Sequence, residues 1–209
     1  MKALLIYFII FPYTLFSQQL SNESDKWLNE SLNNKIVDSK ELITEFIKYD
    51  FSKLWLQQQE TRVGFIGKNF QRFYIHFNEI IQNDTNPSFY KIKGSTRVIN
   101  NICTFEGKIK IIHIREIDKV QREESLKTAV DENDTELLRR FGSKKFIILT
   151  EYIFMEERNQ KWSGYYHGIM KSNFYIKNNI VHYNDLDFSD SYSHNLCVGI
   201  WKVIIPYLK

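Results

Sequence analysis

From Val63 onward the chain runs in segments that alternate apolar and polar residues, and this period of two constrains the fold more than anything else in the sequence. Successive side chains of a β-strand point to opposite faces, so strict alternation marks strands with one dry and one wet face, as in an antiparallel sheet. Asn, Asp, Gly or Ser separates each run from the next, which is turn chemistry. The spacing predicts eight strands, over 63–66, 70–81, 89–98, 103–111, 146–156, 162–176, 180–184 and 196–208. In the third, Tyr90, Ile92, Gly94, Thr96 and Val98 oppose Lys91, Lys93, Ser95 and Arg97. In the fourth, Cys103, Phe105, Gly107, Ile109 and Ile111 oppose Thr104, Glu106, Lys108 and Lys110, and in the sixth Trp162, Gly164, Tyr166, Gly168, Met170 and Phe174 share a face. The economical arrangement is an all-β fold, an eight-stranded antiparallel up-and-down barrel. Composition agrees: the chain holds only two alanines, Ala3 and Ala129, against 16 phenylalanines and 12 tyrosines, so helix formers are scarce where strand formers abound.

Two segments depart from the period of two. Asp38 has the place of a helix N-cap, with Glu41 three residues on to complete a capping box, and Leu42, Ile43, Phe46 and Ile47 recur at helical spacing. An amphipathic N-terminal helix is therefore expected over 39–49, with Trp55 and Leu56 continuing its packing onto the sheet. Residues 118–143 form a charged, partly helical insertion ended by Gly142; long connections of this kind are often lids or binding loops. If eight strands alternate in direction, this insertion and the 39–49 helix lie at the same end and cap one mouth of the barrel.

Ahead of the fold, Met1-Lys2 and the 14-residue apolar stretch from Ala3 to Phe16 have the form of a secretion signal, with Ser17 at the cut. The stretch is shorter than the roughly 20 residues that span a bilayer, and no second long apolar run follows. Residues 1–17 are expected to be removed, 18–37 to form a polar leader, and 38–209 to be one soluble barrel domain, secreted or periplasmic, with no membrane span. Formal charge is only +3 for the full chain, and basic and acidic residues are interleaved. That balance argues against a nucleic-acid partner or an anionic membrane surface.

Chemistry-bearing motifs are absent. No nucleophile elbow, zinc-protease helix or phosphate loop occurs, so an enzyme is not the expectation and no catalytic residue is assigned. His113 alone among the five histidines shares parity with the apolar residues of its strand, near that strand's end, and reads as a rim histidine. Asp185, Asp187 and Asp190 lack the glycine and final glutamate of a calcium loop and read as a solvated turn; no metal and no cofactor is expected. Asn-x-Ser/Thr sequons begin at Asn22, Asn29, Asn83 and Asn133 and would matter only in a eukaryotic secretory route. Cys103 and Cys197 fall near the starts of the fourth and eighth strands, across a barrel from each other, and should not bridge.

What remains is the inner face. Tyr90, Ile92, Phe105, Ile109, Tyr166, Met170, Phe174 and Trp201 are assigned to it as candidate ligand-binding residues, and no charged residue shares its central stretches. An interior of this size is either filled by side chains or wide enough for one small ligand. Gly94, Gly107, Gly168 and Gly199 fall on the same parity, which implies strong coiling and, by removing side-chain volume, some cavity. The runs Gly64-Phe65-Ile66-Gly67-Lys68-Asn69-Phe70-Gln71-Arg72, Asn100-Asn101-Ile102-Cys103-x-Phe105-x-Gly107 and Val198-Gly199-Ile200-Trp201 resemble a family of uncharacterised exported Bacteroidota proteins. The resemblance implies no catalytic or binding residues. In architecture the chain resembles calycins, the lipocalin-type barrels, although Gly199-Ile200-Trp201 lies on the last strand where a lipocalin-like Gly-x-Trp lies on the first. The expectation is a non-enzymatic barrel that binds a small apolar or amphipathic molecule. The alternative is a protein-interaction module, an inhibitor or accessory subunit using exposed aromatics and loops.

Overall fold

A computed structural model describes residues 25–26, 28–30, 32–34, 36–56, 62–66, 71–117, 119–133, 135, 142–183 and 196–203. The expected signal, most of the last turn of the 118–143 insertion, the Asp185–Asp190 loop and His194 lie outside them. Eight strand segments form one antiparallel sheet: β1 (Arg62–Ile66), β2 (Gln71–Gln82), β3 (Phe89–Val98), β4 (Asn101–Ile117), β5 (Lys145–Glu156), β6 (Gly164–Lys177), β7 (Ile180–Tyr183) and β8 (Leu196–Val203). From β1 to β7 they pair in chain order, as a meander does. The turn at Asn178 and Asn179, both at positive φ, joins β6 to β7 in the manner of a tight hairpin.

The last strand departs from the up-and-down order. β8 pairs with Gly164–Lys171 of β6, while β7 pairs with Phe174–Lys177 of the same strand. The two short strands thus run end to end along one edge, and eight segments fill seven positions. Among the described residues no pairing joins this edge to β1, so the sheet is a half-barrel and not the closed eight-stranded barrel expected from the sequence. It is nonetheless steeply curled. Phe73 of β2 stacks on Tyr166 of β6 with ring centroids 5.0 Å apart. Four strands of a flat sheet would separate them by about 19 Å.

Two bulges adjust the inner face. The β2–β3 register shifts between Phe77 and Glu79, which turns Ile80 inward after Phe73, Ile75 and Phe77. The β4–β5 register shifts between Ile111 and His113, so Ile114 takes the buried position and His113 leaves the inner parity it was expected to hold. The inner glycines serve close approach across the strands. Gly94 lies opposite Phe105 and Gly107 opposite Phe154, and a Cβ at either position would strike the facing aromatic ring and a neighbouring backbone carbonyl. Their missing volume is filled by rings, which corrects the inference that it leaves a cavity.

The expected 39–49 helix is replaced by two short ones, α1 (Ile43–Phe46) and α2 (Ser52–Leu56). Pairing with β4 competes for the start of the segment: Asp38 N–H donates to Glu116 O (2.8 Å) and Leu42 N–H to Ile114 O (2.9 Å), holding 37–42 alongside the strand. Asp38 is not the cap; its carboxylate accepts from Lys119 Nζ at 2.8 Å, which holds it below the usual range. Glu41 Oε1 instead accepts from the backbone N–H of Leu42, Ile43 and Ile114. Asp50 starts α2 by accepting from Ser52 N–H at 2.8 Å. Phe51, Leu54 and Trp55, all essentially inaccessible to solvent, then drop into one end of the half-barrel as a plug. Full burial of each such side chain stabilises the fold by roughly 1.5–3 kcal/mol.

On the outer face Leu28 and Leu32, from the leader, pack with Val37, Ile117 and Ile147 in a second, smaller cluster. Among its described residues the charged insertion carries the helix α3 (Lys119–Asp131), tied back by Arg122 to Glu116 at 2.9 Å. No helix among the described residues is long and apolar enough to cross a membrane.

Candidate functional site

The eight residues assigned to the inner face divide between the two ends of the half-barrel. Tyr90 lies beneath the plug: its ring meets Trp55 edge-on at 5.0 Å, and its hydroxyl accepts from Phe51 N–H (3.1 Å) and Gln82 Nε2 (3.0 Å). Burial raises its pKa. Phe174 is ringed by Phe46, Phe51 and Phe146. Ile92, Phe105, Ile109 and Met170 belong to the same continuous core, which is packed, not hollow. Tyr166 and Trp201 line a cavity among the described residues.

That cavity, of about 460 Å³, opens at the mouth opposite the plug. Thr96 and Val98 at the end of β3, Ile99 and Asn100 in the following turn, Asn101 at the start of β4, Glu156 at the end of β5 and Lys161 and Trp162 in the β5–β6 turn line it with Tyr166 and Trp201. Its size falls in the range of small-ligand sites.

The floor carries a polar group that the assignment of inner residues passed over. Glu156 follows Phe146, Ile148, Thr150, Tyr152 and Phe154 on the inward parity of β5, and it is 3 % exposed. Its Oε1 accepts from the hydroxyls of Thr96 and, at 3.3 Å, Tyr166, and its Oε2 accepts from Gly164 N–H at 2.7 Å. Burial raises its pKa; the three hydrogen bonds and the nearby Trp201 indole pull the other way without cancelling it. The Trp201 indole N–H is buried beside this carboxylate but makes no well-formed hydrogen bond to any described group. Cys103, close by, makes sulfur contacts with Asn101 Nδ2 and Lys161 O, and burial followed by the Glu156 charge raises its pKa. No disulfide joins Cys103 and Cys197.

The rim is apolar and strained. Ile99 (φ 54°) and Trp162 (φ 59°) occupy the left-handed backbone region, which bulky and β-branched residues avoid. Both are also exposed, 66 % and 67 %, so neither conformation is rewarded by burial. Strain of this kind costs about 1–3 kcal/mol and gathers at ligand sites. Trp162 was expected as the first inward residue of the sixth strand. The strand begins at Gly164, and Trp162 forms one lip of the mouth instead.

The histidines lie elsewhere. His113 Nδ1 meets Glu41 Oε2 at 2.8 Å, beside Arg115, in a latch between β4 and the plug segment. His167, expected on a wet face, is buried against Glu151 with Nε2 3.0 Å from Oε1. Neither borders the cavity. Among the described residues no group of three or more His, Cys, Asp or Glu is placed to hold a metal ion. Comparisons of this chain with protein-family models, with curated proteins and with solved structures find no match.

Proposed function

We propose that this chain is an exported, non-enzymatic binding protein that takes a small amphipathic molecule at the open mouth of a calycin-like half-barrel. The cavity carries the reading: Val98, Ile99, Trp162, Tyr166 and Trp201 give it an apolar wall, and two buried polar groups, Thr96 and Glu156, hydrogen-bonded to each other, are set at its floor. A few placed polar groups in an apolar pocket are what orient a small ligand. Of the candidates read from the sequence, Tyr166 and Trp201 would touch it. Tyr90, Ile92, Phe105, Ile109, Met170 and Phe174 would instead hold the wall that shapes it.

Native mass spectrometry of protein isolated from its own host tests this. A retained small molecule, lost in a Trp162→Ala, Trp201→Phe double variant, is the expected result. A stoichiometric protein in its place would favour an interaction module, for which the exposed Ile99, Ile102 and Trp162 give a second reading.

A further inference from the structure

Glu156 differs from the other well-buried or half-buried glutamates in one respect. Glu116 is paired with Arg122 and Lys144, Glu151 with His167, and Glu41 with His113 and Arg115. Glu156, as buried as any of them, forms no salt bridge with a described Lys, Arg or His; it is held by two hydroxyls and one backbone N–H. A buried carboxylate is costly unless it is paired or protonated. Of its two oxygens, Oε2 accepts one well-formed hydrogen bond among the described residues, from the Gly164 N–H, with the Trp201 indole nearby, which leaves it acceptor capacity. Beside it stand the rings of Tyr166 and Trp201, with Trp162 at the lip, and the faces of such rings attract cations. The one basic side chain of the cavity, Lys161, is exposed at the rim.

We infer that the mouth cavity selects an organic cation, an alkyl- or arylammonium whose charge pairs with Glu156 and whose apolar body lies against Trp162, Val98 and Ile99. This rests on the cavity being the ligand site and adds the sign of the ligand's charge. An anionic ligand would bury a second negative charge beside the first. A neutral one would leave the carboxylate without its counter-ion. Tyr166 and Cys103, the titratable neighbours on the floor, are both held neutral by burial, and so offer no competing charge.

Isothermal titration of the wild-type protein with three probes of matched shape tests the charge: phenethylammonium, 2-phenylethanol and phenylacetate. At neutral pH the ammonium should bind at least about tenfold tighter than the alcohol, with phenylacetate weakest. Acidification through the raised pKa of Glu156 should erase that preference in the wild type, without any substitution. Glu156→Gln, confirmed as folded by its melting transition, should bind the ammonium and the alcohol alike. Equal or tighter binding of the alcohol or phenylacetate by the wild type overturns the cation while leaving the cavity as a site. If none of the three binds in the low millimolar range, the cavity itself is not a ligand site and the inference falls with it.

Discussion

The two ends of the half-barrel are built from the same alternating strands and reach opposite outcomes. At the plugged end the functional polar groups are paired, with Arg115 Nε an exception: Tyr90 OH takes Phe51 N–H, Trp55 Nε1 donates to Ser172 Oγ at 3.3 Å, and the Glu41 carboxylate has a histidine, an arginine and backbone amides. At the mouth the Trp201 indole N–H lacks a hydrogen-bond partner among the described residues, Glu156 has no described Lys, Arg or His beside it, and two bulky residues stand exposed at positive φ. One end is optimised for burial. The other holds strain and unspent polar capacity on the scaffold that the first end stabilises, which is the division expected of a binding protein.

Emptying the plug should have the largest effect. Trp55→Ala removes a fully buried indole and its hydrogen bond to Ser172, at a cost of about 3–5 kcal/mol. Thermal melts should show a fall of roughly 10 °C for a domain of this size. A loss below about 1 kcal/mol would mean that α1 and α2 merely rest on the sheet. Next comes the aromatic filling between the ends. Gly94→Ala drives a methyl into the Phe105 ring and the His76 carbonyl and should destabilise the fold by about 1–3 kcal/mol. Tolerance of that methyl would show that the middle of the half-barrel is looser than described.

At the mouth the sign should reverse. Ile99→Gly relieves a β-branched residue of a left-handed backbone while removing a side chain that buries little. It should leave stability unchanged or raise it by up to about 1 kcal/mol, once glycine's greater freedom in the unfolded chain is subtracted. The same variant should weaken ligand uptake. A clear loss of stability, read by denaturant titration, would make the rim part of the core and erase the contrast.

The smallest effect separates the ends by pH. Glu151, held low by His167, and Glu41, whose burial is outweighed by His113, Ile114 N–H and Arg115, both have pKa values below the usual 4.5. Their stabilisation is complete above that value and is lost as pH falls through the depressed folded pKa. Glu156 runs the other way: its pKa is raised, so its contribution is complete below about 4.5 and fades as pH rises through the folded value. In melts across this window the stability of wild type relative to Glu156→Gln should fall with rising pH, and relative to Glu41→Gln it should rise. Parallel curves would show that the carboxylates at the two ends are equivalent.

Parity made most of the inner face legible. Tyr90, Ile92, Phe105, Ile109, Tyr166, Met170 and Phe174 are buried as their alternation requires, because a period of two leaves a half-buried strand only one choice of face. Glu156 was legible by the same rule and was passed over because it closes its strand. The bulges after Phe77 and Ile111 were not, since no residue type marks them and each moves everything downstream by one face. The place of β8 was hidden as well. Alternation fixes which side of a strand is dry, not which neighbour it pairs with, so nothing in the Gly199 run distinguishes a partner β6 from a partner β1. Ile99 and Trp162 are residue types that disfavour positive φ, so sequence points away from the conformations that shape the rim.

The chain carries its own reporters for the contrast, with Trp55 in the plug and Trp162 and Trp201 at the mouth among its four tryptophans. Fluorine NMR of protein labelled with 5-fluorotryptophan, assigned by single Trp→Phe variants and titrated with phenethylammonium and 2-phenylethanol, reads both ends in one spectrum. The account requires the Trp162 and Trp201 resonances to move saturably with at least one of the two probes while Trp55 stays fixed. Movement of Trp55 with Trp162 and Trp201 unchanged would place the ligand under the plug and contradict the account.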